Sequence, residues 1–134
     1  MARMHTRLLT LVAAAVLFAV PLSAHHGTNV SYDHNTTVTL IGTVTEFVWK
    51  NPHVQLYFEV KDANGAARQW ASELNSPSVL SRQGWTRAQF KPGDVLTITV
   101  FPSKSGTLVG VVDRTKPIMV GGKEVVHANA RNVD

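Results

Sequence analysis

The sequence predicts an all-β domain with one short helix. Apolar and polar residues alternate with a period of two in several short runs, including 54–60 and 95–101, which is typical of strands with one buried face. Turn-forming pairs such as Asn64-Gly65 separate these runs. The chain contains no cysteine, so neither disulfides nor thiolate metal sites contribute, and the fold depends on burial of an apolar core.

Residues 1–24 predict a signal peptide. They combine a positive start, an almost wholly apolar run over 8–20 and small residues before position 25. This run is too short to span a bilayer, which needs about 20 residues. We expect a periplasmic or secreted protein with no membrane span after cleavage. The alternative is an uncleaved membrane anchor.

The charge of the predicted mature chain narrows the classes of partner. Cleavage removes two arginines and no acidic residue, so the formal net charge falls from +4 to +2. This weak charge is not the basic footprint of a nucleic-acid-binding protein. We therefore expect no nucleic-acid partner. An unknown small molecule, a metal ion or a periplasmic protein is the expected partner.

The mature chain divides into an arm, a domain and a tail. Residues 25–35 are polar and histidine-rich, which predicts an extended arm. Residues 36–127 predict the β domain, and residues 128–134 predict a frayed tail. The first strand is expected over 36–49, with a bend at Gly42, because glycine inside a strand often marks a bulge or tight bend.

The remaining elements follow in order. Pro52 predicts a turn, with His53 at the start of a second strand over 53–61 and a third strand over 67–74. Ser76 is a candidate helix cap, Pro77 suits the first turn and Gly84 can end the helix. Further strands are expected over 95–101 and 108–112. A final small hairpin is expected over 118–120 and 124–126.

Three strands, a helix and two more strands predict a five-stranded OB-like barrel, the oligonucleotide/oligosaccharide-binding architecture. A long first strand that bends at Gly42 can serve two sheets at once, which agrees with this architecture. The alternative is an open antiparallel β-sandwich with the helix as a plug.

Several motifs resemble a family of small exported bacterial proteins catalogued only as a domain of unknown function. The resemblance extends to about Asp113 and implies an exported, compact β domain, without an established activity. The matching residues are His25-His26-Gly27, Tyr32-Asp33, Gly42-Thr43-Val44, Trp49-x-Asn51-Pro52-His53, Trp70, Glu73-Leu74, Ser76-Pro77, Leu80, Gly84-Trp85-Thr86-Arg87 and Lys91-Pro92-Gly93-Asp94.

Histidines at the predicted cleavage site form a candidate metal site for copper or zinc. Cleavage before His25 exposes an amine and an imidazole that can chelate one ion, with His26 or His53 as a further ligand. Imidazole suits both metals. The alternative is structural, with a solvated arm and a turn histidine that is bonded to backbone.

The turn after the first strand is a candidate ligand rim. This turn borders the usual ligand face of an OB barrel. The rim consists of Trp49, Asn51 and His53, with Arg87 from the segment after the helix. The structural alternative is that these residues only shape turns and plug the barrel.

The sequence does not favour an enzyme. It lacks the nucleophile, phosphate-loop and dinucleotide motifs. Glu46, Glu59 and Glu73 lie near Lys or Arg on strands, which is typical of cross-strand ion pairs. The leading hypothesis is therefore a non-catalytic binding or accessory module. A metal-binding protein is the alternative, and a hydrolytic enzyme is a weaker one.

Overall fold

The computed structural model of the protein describes residues 31–128. The predicted signal peptide and most of the predicted arm and tail lie outside these residues. The described part contains seven strands and one short helix, and none of its helices is long and apolar enough to cross a membrane. In chain order the elements are β1 (Val38–Val48), β2 (Gln55–Lys61), β3 (Ala67–Glu73), α1 (Pro77–Arg82), β4 (Val95–Pro102), β5 (Val109–Val112), β6 (Ile118–Val120) and β7 (Lys123–Val126).

The first five strands close into a barrel. Their order is β1-β2-β3-β5-β4, and β4 pairs back with β1. All pairs are antiparallel except β3 with β5, which run parallel. With α1 between β3 and β4, this is the OB arrangement, so the predicted OB-like barrel is confirmed. β6 and β7 form the predicted final hairpin, which joins the barrel at β4.

Gly42 lies where β1 changes partner. β1 pairs with β4 from Val38 to Thr43 and with β2 from Thr43 to Val48. A Cβ atom on Gly42 would lie 2.7 Å from the carbonyl oxygen of Glu59 and would also meet a side chain of β2. The glycine is therefore required by the close approach of β2. The irregular register falls just after it, between Val44 and Glu46.

The barrel interior is filled by the alternating apolar residues. The second strand region contributes Val54, Leu56 and Phe58, all fully buried. The fourth strand contributes a matching row, and α1 adds Leu80. Fourteen buried residues form this core: Leu40, Val44, Val54, Leu56, Phe58, Leu74, Leu80, Trp85, Phe90, Leu96, Ile98, Val100, Val112 and Ile118.

The short helix follows the predicted signals with one difference. Ser76 occupies the N-cap position and Pro77 opens the helix, but the Ser76 hydroxyl bonds Ser78 Oγ (3.1 Å) instead of a backbone N–H. Gly84 follows the C-cap with a φ of 86°, the left-handed conformation that glycine adopts easily after a helix.

Candidate functional site

The turn between β1 and β2 is held against the end of β3. It contains a cis peptide bond before Pro52. The N–H of Val54 donates to the Asn75 carbonyl (3.2 Å), and the Val54 carbonyl accepts from the N–H of Leu74 (2.9 Å). β2 begins at Gln55 and not at His53 as predicted. The two bonds of Val54 place His53 beside the end of β3.

Glu73, at the end of β3, is the centre of the candidate site. Its neighbours Ser72 and Leu74 are buried, so the Glu73 side chain lies on the outer face of the barrel. One carboxylate oxygen, Oε1, accepts a hydrogen bond from His53 Nδ1, and Oε2 accepts one from the Tyr32 hydroxyl at 2.6 Å. These three side chains form the Tyr32–Glu73–His53 cluster.

The hydrogen bonds determine the tautomer of His53. In a neutral ring, a carboxylate that can only accept requires the hydrogen on Nδ1, and the lone pair then lies on Nε2. Among residues 31–128, Glu73 is the sole hydrogen-bond partner of the ring. The His53 side chain is 36% exposed, and that of Glu73 is 25% exposed. The cluster therefore presents a half-exposed imidazole with one nitrogen available to a ligand.

Tyr32 ties the start of the described chain to this cluster. It pairs with Ser103 in an isolated bridge, and the N–H of Asp33 donates to the Pro102 carbonyl at 2.9 Å. Only 6% of Tyr32 is exposed. Burial, and then the hydrogen bond to the Glu73 carboxylate, raise the pKa of the Tyr32 phenol well above its usual value. Tyr32 is therefore a neutral donor across the physiological range.

The cluster lies on the outer surface of β2, β3 and β5. Glu73 is opposite Gln55 on β2 and opposite Val111 on β5. The next outward position on β2 is Tyr57, which is opposite Ala71 and half-buried. OB barrels bind ligands on the face of strands two and three, between the loops that follow strands one and four. His53 comes from the first loop, and Tyr32 pairs with the start of the second.

The remaining residues of the candidate rim occupy different environments. Trp49 is half-buried and its ring meets Phe47 edge-on at 5.8 Å. Asn51 and Arg87 are exposed. Within the described residues, no hydrogen bond or ring contact joins Arg87 to Trp49, Asn51 or His53. The structure thus joins His53 to two residues outside the candidate rim, Tyr32 and Glu73.

Of the candidate metal ligands, the structure describes only His53. His25 and His26 lie outside the described residues. Within residues 31–128, no group of three or more histidine or acidic side chains converges as a metal site. Of the three candidate metal ligands, this part of the chain therefore contains only His53, whose ring is hydrogen-bonded to the Glu73 carboxylate.

A second concave region lies between the end of α1 and β7. This cleft has a volume of about 400 Å³ and is lined by residues 83–85, Gln89 and residues 125–127. Gln89 Nε2 donates to the Val125 carbonyl at 2.7 Å. At its edge, His127 Nδ1 lies 3.0 Å from Glu124 Oε1, a second histidine–carboxylate pair.

Comparison with known proteins identifies the family. A family model, described as a family of unknown function (DUF6152), matches residues 13–114. The chain belongs to this family. The match confirms the resemblance to a domain-of-unknown-function family. No curated protein matches the sequence.

Among solved structures, the chain is similar to a mitochondrial single-stranded DNA binding protein from S. cerevisiae. The sequences are 16% identical, and the TM-score is 0.41. The alignment covers 66% of this chain and 96% of the other.

Tyr32 and Glu73 are the site residues that the sequence interpretation missed. The expectation of a cross-strand ion pair with Lys or Arg was wrong for Glu73, whose partners are Tyr32 and His53. A signal was nevertheless present, because Tyr32-Asp33, Glu73-Leu74 and Asn51-Pro52-His53 are all among the motifs that carry the family resemblance. Barrel closure brings these separate motifs together.

Proposed function

We propose that the chain is an exported, non-catalytic binding or accessory module of the periplasm or cell exterior. Its ligand contacts the outer face of β2 and β3 around His53, with Trp49, Asn51 and Arg87 as further rim residues. The observation that carries this proposal is the orientation of His53 by Glu73 on the face where OB barrels bind ligands. The position of the ligand-binding face is inferred by analogy with other OB barrels. The Tyr32–Glu73–His53 cluster supplies the specific chemistry.

The composition of this face supports binding. Half-buried Tyr57 offers an aromatic surface, and Gln55 offers an amide beside Glu73. His53 reaches Glu73 from 20 residues away in sequence, and Tyr32 reaches it from 41 residues away. Side chains held in place by such contacts lose little further freedom when a ligand binds, which favours affinity.

Nuclear magnetic resonance (NMR) mapping tests the proposed face. The ¹⁵N-labelled chain beginning at His25 is screened against small organic fragments, short oligosaccharides and Zn(II). We expect the strongest amide shifts at His53, Gln55, Tyr57 and Glu73, and we expect them to disappear in His53→Ala. The matched control His127→Ala should leave them unchanged. Hits confined to the cleft between α1 and β7, or no hits on the β2–β3 face, would overturn the proposal.

Export is tested separately by the intact mass of the secreted protein. The predicted cut after Ala24 gives a chain that begins with His25. A protein that retains residues 1–24 would contradict the signal-peptide part of the proposal. The binding face would still be tested by the NMR mapping.

A copper- or zinc-binding protein that uses the mature N-terminus is the second candidate. The observation that favours it is the anchoring of Tyr32 on Glu73, beside His53. Five residues lie between His26 and Tyr32, and six residue steps of extended chain span roughly 20 Å. The amine and ring of His25 are therefore within reach of His53.

Copper titration of three proteins tests this terminal site. They are the chain beginning at His25, its His25→Ala variant and a chain with one extra N-terminal Met. A terminal site loses most of its affinity in both altered proteins. Equal affinity in all three would place copper elsewhere.

A further inference from the structure

We propose that the cleft between the end of α1 and β7 binds a small organic carboxylate. Arg114 and Lys116 meet its anionic group, and Trp85 and Val126 meet its apolar part. This second site goes beyond the proposed function, because it shares no lining residue with the Tyr32–Glu73–His53 cluster.

The size and lining of the cleft suit a small molecule. Its volume of about 400 Å³ lies in the range of roughly 300–1,000 Å³ that is typical of ligand pockets. Such pockets combine an apolar surface with a few polar groups. Here Trp85, Val125 and Val126 supply the apolar surface. The side-chain amides of Gln83 and Gln89 supply polar groups.

A narrow recess adjoins the cleft and supplies positive charge. The recess and the cleft share Trp85, Val126 and His127, and the recess adds Arg114 and Lys116. Within residues 31–128, no aspartate or glutamate lines either of them. An excess of basic groups in a concave site favours a negatively charged ligand.

Arg114 and Lys116 are the sources of this charge, because His127 already has an acidic neighbour. Nδ1 of His127 lies 3.0 Å from Oε1 of Glu124, and its side chain is 89% exposed. Arg114, in contrast, is half-buried. The anionic group of the ligand is therefore assigned to the end of the site formed by Arg114 and Lys116.

The guanidinium of Arg114 is held at the boundary between the recess and the cleft. Its Nη2 donates to Oε1 of Gln83, which lines the cleft. A guanidinium has five N–H donors in one plane, so an arginine that bonds Gln83 can also donate to a carboxylate. Burial lowers the pKa of Arg114, because the charged form loses hydration, and a bound carboxylate offsets this loss.

Hydrogen bonds between distant parts of the chain hold the walls of the cleft together. Gln89 Nε2 donates to the Val125 carbonyl at 2.7 Å across 36 residues, which ties the segment after α1 to β7. The bond from Arg114 to Gln83 spans 31 residues and ties the segment after β5 to the helix C-cap. Walls fixed in this way lose little further freedom when a ligand binds, which favours affinity.

The apolar wall favours an organic anion over an inorganic one. The Trp85 ring is 5% exposed and packs on Phe90, with the ring centroids 6.0 Å apart. Val125 and Val126 are half-buried on the opposite wall. An aromatic or aliphatic body between these walls would remove apolar surface from water, whereas an inorganic ion would leave that surface uncovered.

NMR titration with benzoate tests the inference. The ¹⁵N-labelled chain beginning at His25 is titrated with benzoate, with its uncharged analogue benzamide and with inorganic phosphate. The benzoate titration is repeated on Arg114→Gln, Lys116→Gln and Lys123→Gln. Lys123 is the matched control, since it is an exposed lysine of β7 that does not line the cleft. The amide spectrum of each variant shows whether it is folded.

We expect benzoate to shift the amides of residues 83–85 and 125–127 and the indole N–H of Trp85. Benzamide and phosphate should each bind about 10-fold more weakly, because each lacks one of the two parts that the site recognises.

The variants should separate the two basic side chains. Affinity for benzoate should fall about 10-fold in Arg114→Gln through loss of a charged hydrogen bond. It should fall about 2- to 5-fold in Lys116→Gln, whose charge is exposed to solvent, and stay unchanged in Lys123→Gln. If Arg114→Gln does not fold, the comparisons of Lys116→Gln with Lys123→Gln and of benzoate with benzamide decide the question.

Three results would overturn the inference. They are equal affinity for benzoate and benzamide, equal affinity for benzoate and phosphate, and equal effects of Lys116→Gln and Lys123→Gln. Shifts confined to the β2–β3 face would also overturn it and would leave the proposed binding module intact. Shifts confined to the cleft would support this second site and contradict the proposed face.

Discussion

The chain contains two histidine–carboxylate pairs in very different settings. The His53–Glu73 pair joins the first turn to β3 across 20 residues, and Tyr32 adds a second hydrogen bond to the same carboxylate. The His127–Glu124 pair joins two residues three positions apart at the edge of the β6–β7 hairpin. The same two functional groups are thus held by the fold in one region and by a local turn in the other.

The strands that carry the two pairs are also integrated differently. β3, which carries Glu73, lies inside the barrel sheet and pairs with β2 through seven residue pairs and with β5 through three. Within residues 31–128, the strand ladder between the hairpin and the barrel has two residue pairs, Leu96 with Val120 and Thr97 with Met119, and β7 pairs with β6 alone. The Tyr32–Glu73–His53 cluster should therefore depend on global folding, whereas the hairpin pair should respond to local changes.

Gly42→Val should produce the largest effect, because it opposes barrel closure. The new Cβ would approach the Glu59 carbonyl oxygen to 2.7 Å and Phe58 to 2.8 Å. Overpacking of this kind costs about 3 kcal/mol of unfolding free energy. Urea unfolding measures the loss, and ring ¹⁵N shifts should show that His53 is perturbed more than His127.

Thr43→Val is the matched control for that substitution. Thr43 is the next residue of β1 and is exposed, and valine and threonine are both β-branched. Its effect should stay within about 0.5 kcal/mol. Equal urea midpoints for the two variants would contradict the close-approach role of Gly42.

The sequence predicted the barrel because its signals are local. Alternation in β2 and β4, the turn at Asn64-Gly65 and the helix between β3 and β4 each lie within a few residues. The need for glycine at position 42 was also visible, although its cause is the approach of β2 and not an unusual backbone angle. The strands, the turn and the helix can be recognised from neighbours along the chain, whereas the approach of β2 to Gly42 cannot.

The partners of Glu73 were not predictable by the same reasoning. An acidic residue on a strand with nearby basic residues favours an ion pair, but the fold brings Tyr32 and His53, which both lie outside the strands, to Glu73. Tyr32 lies in the polar segment predicted as an extended arm, yet it is buried. The cluster is a product of tertiary closure, so sequence spacing alone could not reveal it.

Glu73→Ala should have the next largest effect, because it breaks the cluster. It removes the acceptor of both His53 and buried Tyr32, and a buried hydroxyl without a partner costs about 1–3 kcal/mol. We expect a loss of about 2 kcal/mol by urea unfolding. An effect below about 0.5 kcal/mol would show that the cluster contributes nothing to folding.

Tyr32→Phe should reduce the sensitivity of the fold to alkaline pH. Burial and the Glu73 hydrogen bond raise the pKa of Tyr32, so the folded state retains the proton more tightly than the unfolded chain. The stability contributed by neutral Tyr32 is complete below its reference pKa of about 10 and falls as pH rises above it.

Urea midpoints at about pH 8 and about pH 11 measure this difference. The wild-type midpoint should fall more between the two values than that of Tyr32→Phe, since the other groups titrate in both proteins. An equal fall in the two proteins would contradict the pKa shift of Tyr32. The variant itself should lose about 1 kcal/mol near neutral pH through the missing hydrogen bond.

Glu124→Ala should have the smallest effect, and it sharpens the comparison most directly. Glu124 and His127 are exposed side chains on a hairpin, and such pairs contribute about 0–1 kcal/mol because solvent screens them and their ordering costs entropy. We expect a change within about 0.5 kcal/mol of unfolding free energy, with the spectrum of the Tyr32–Glu73–His53 cluster unchanged. A loss equal to that of Glu73→Ala would show that the hairpin pair is as strongly held by the fold as the barrel pair, and the distinction between the two regions would be wrong.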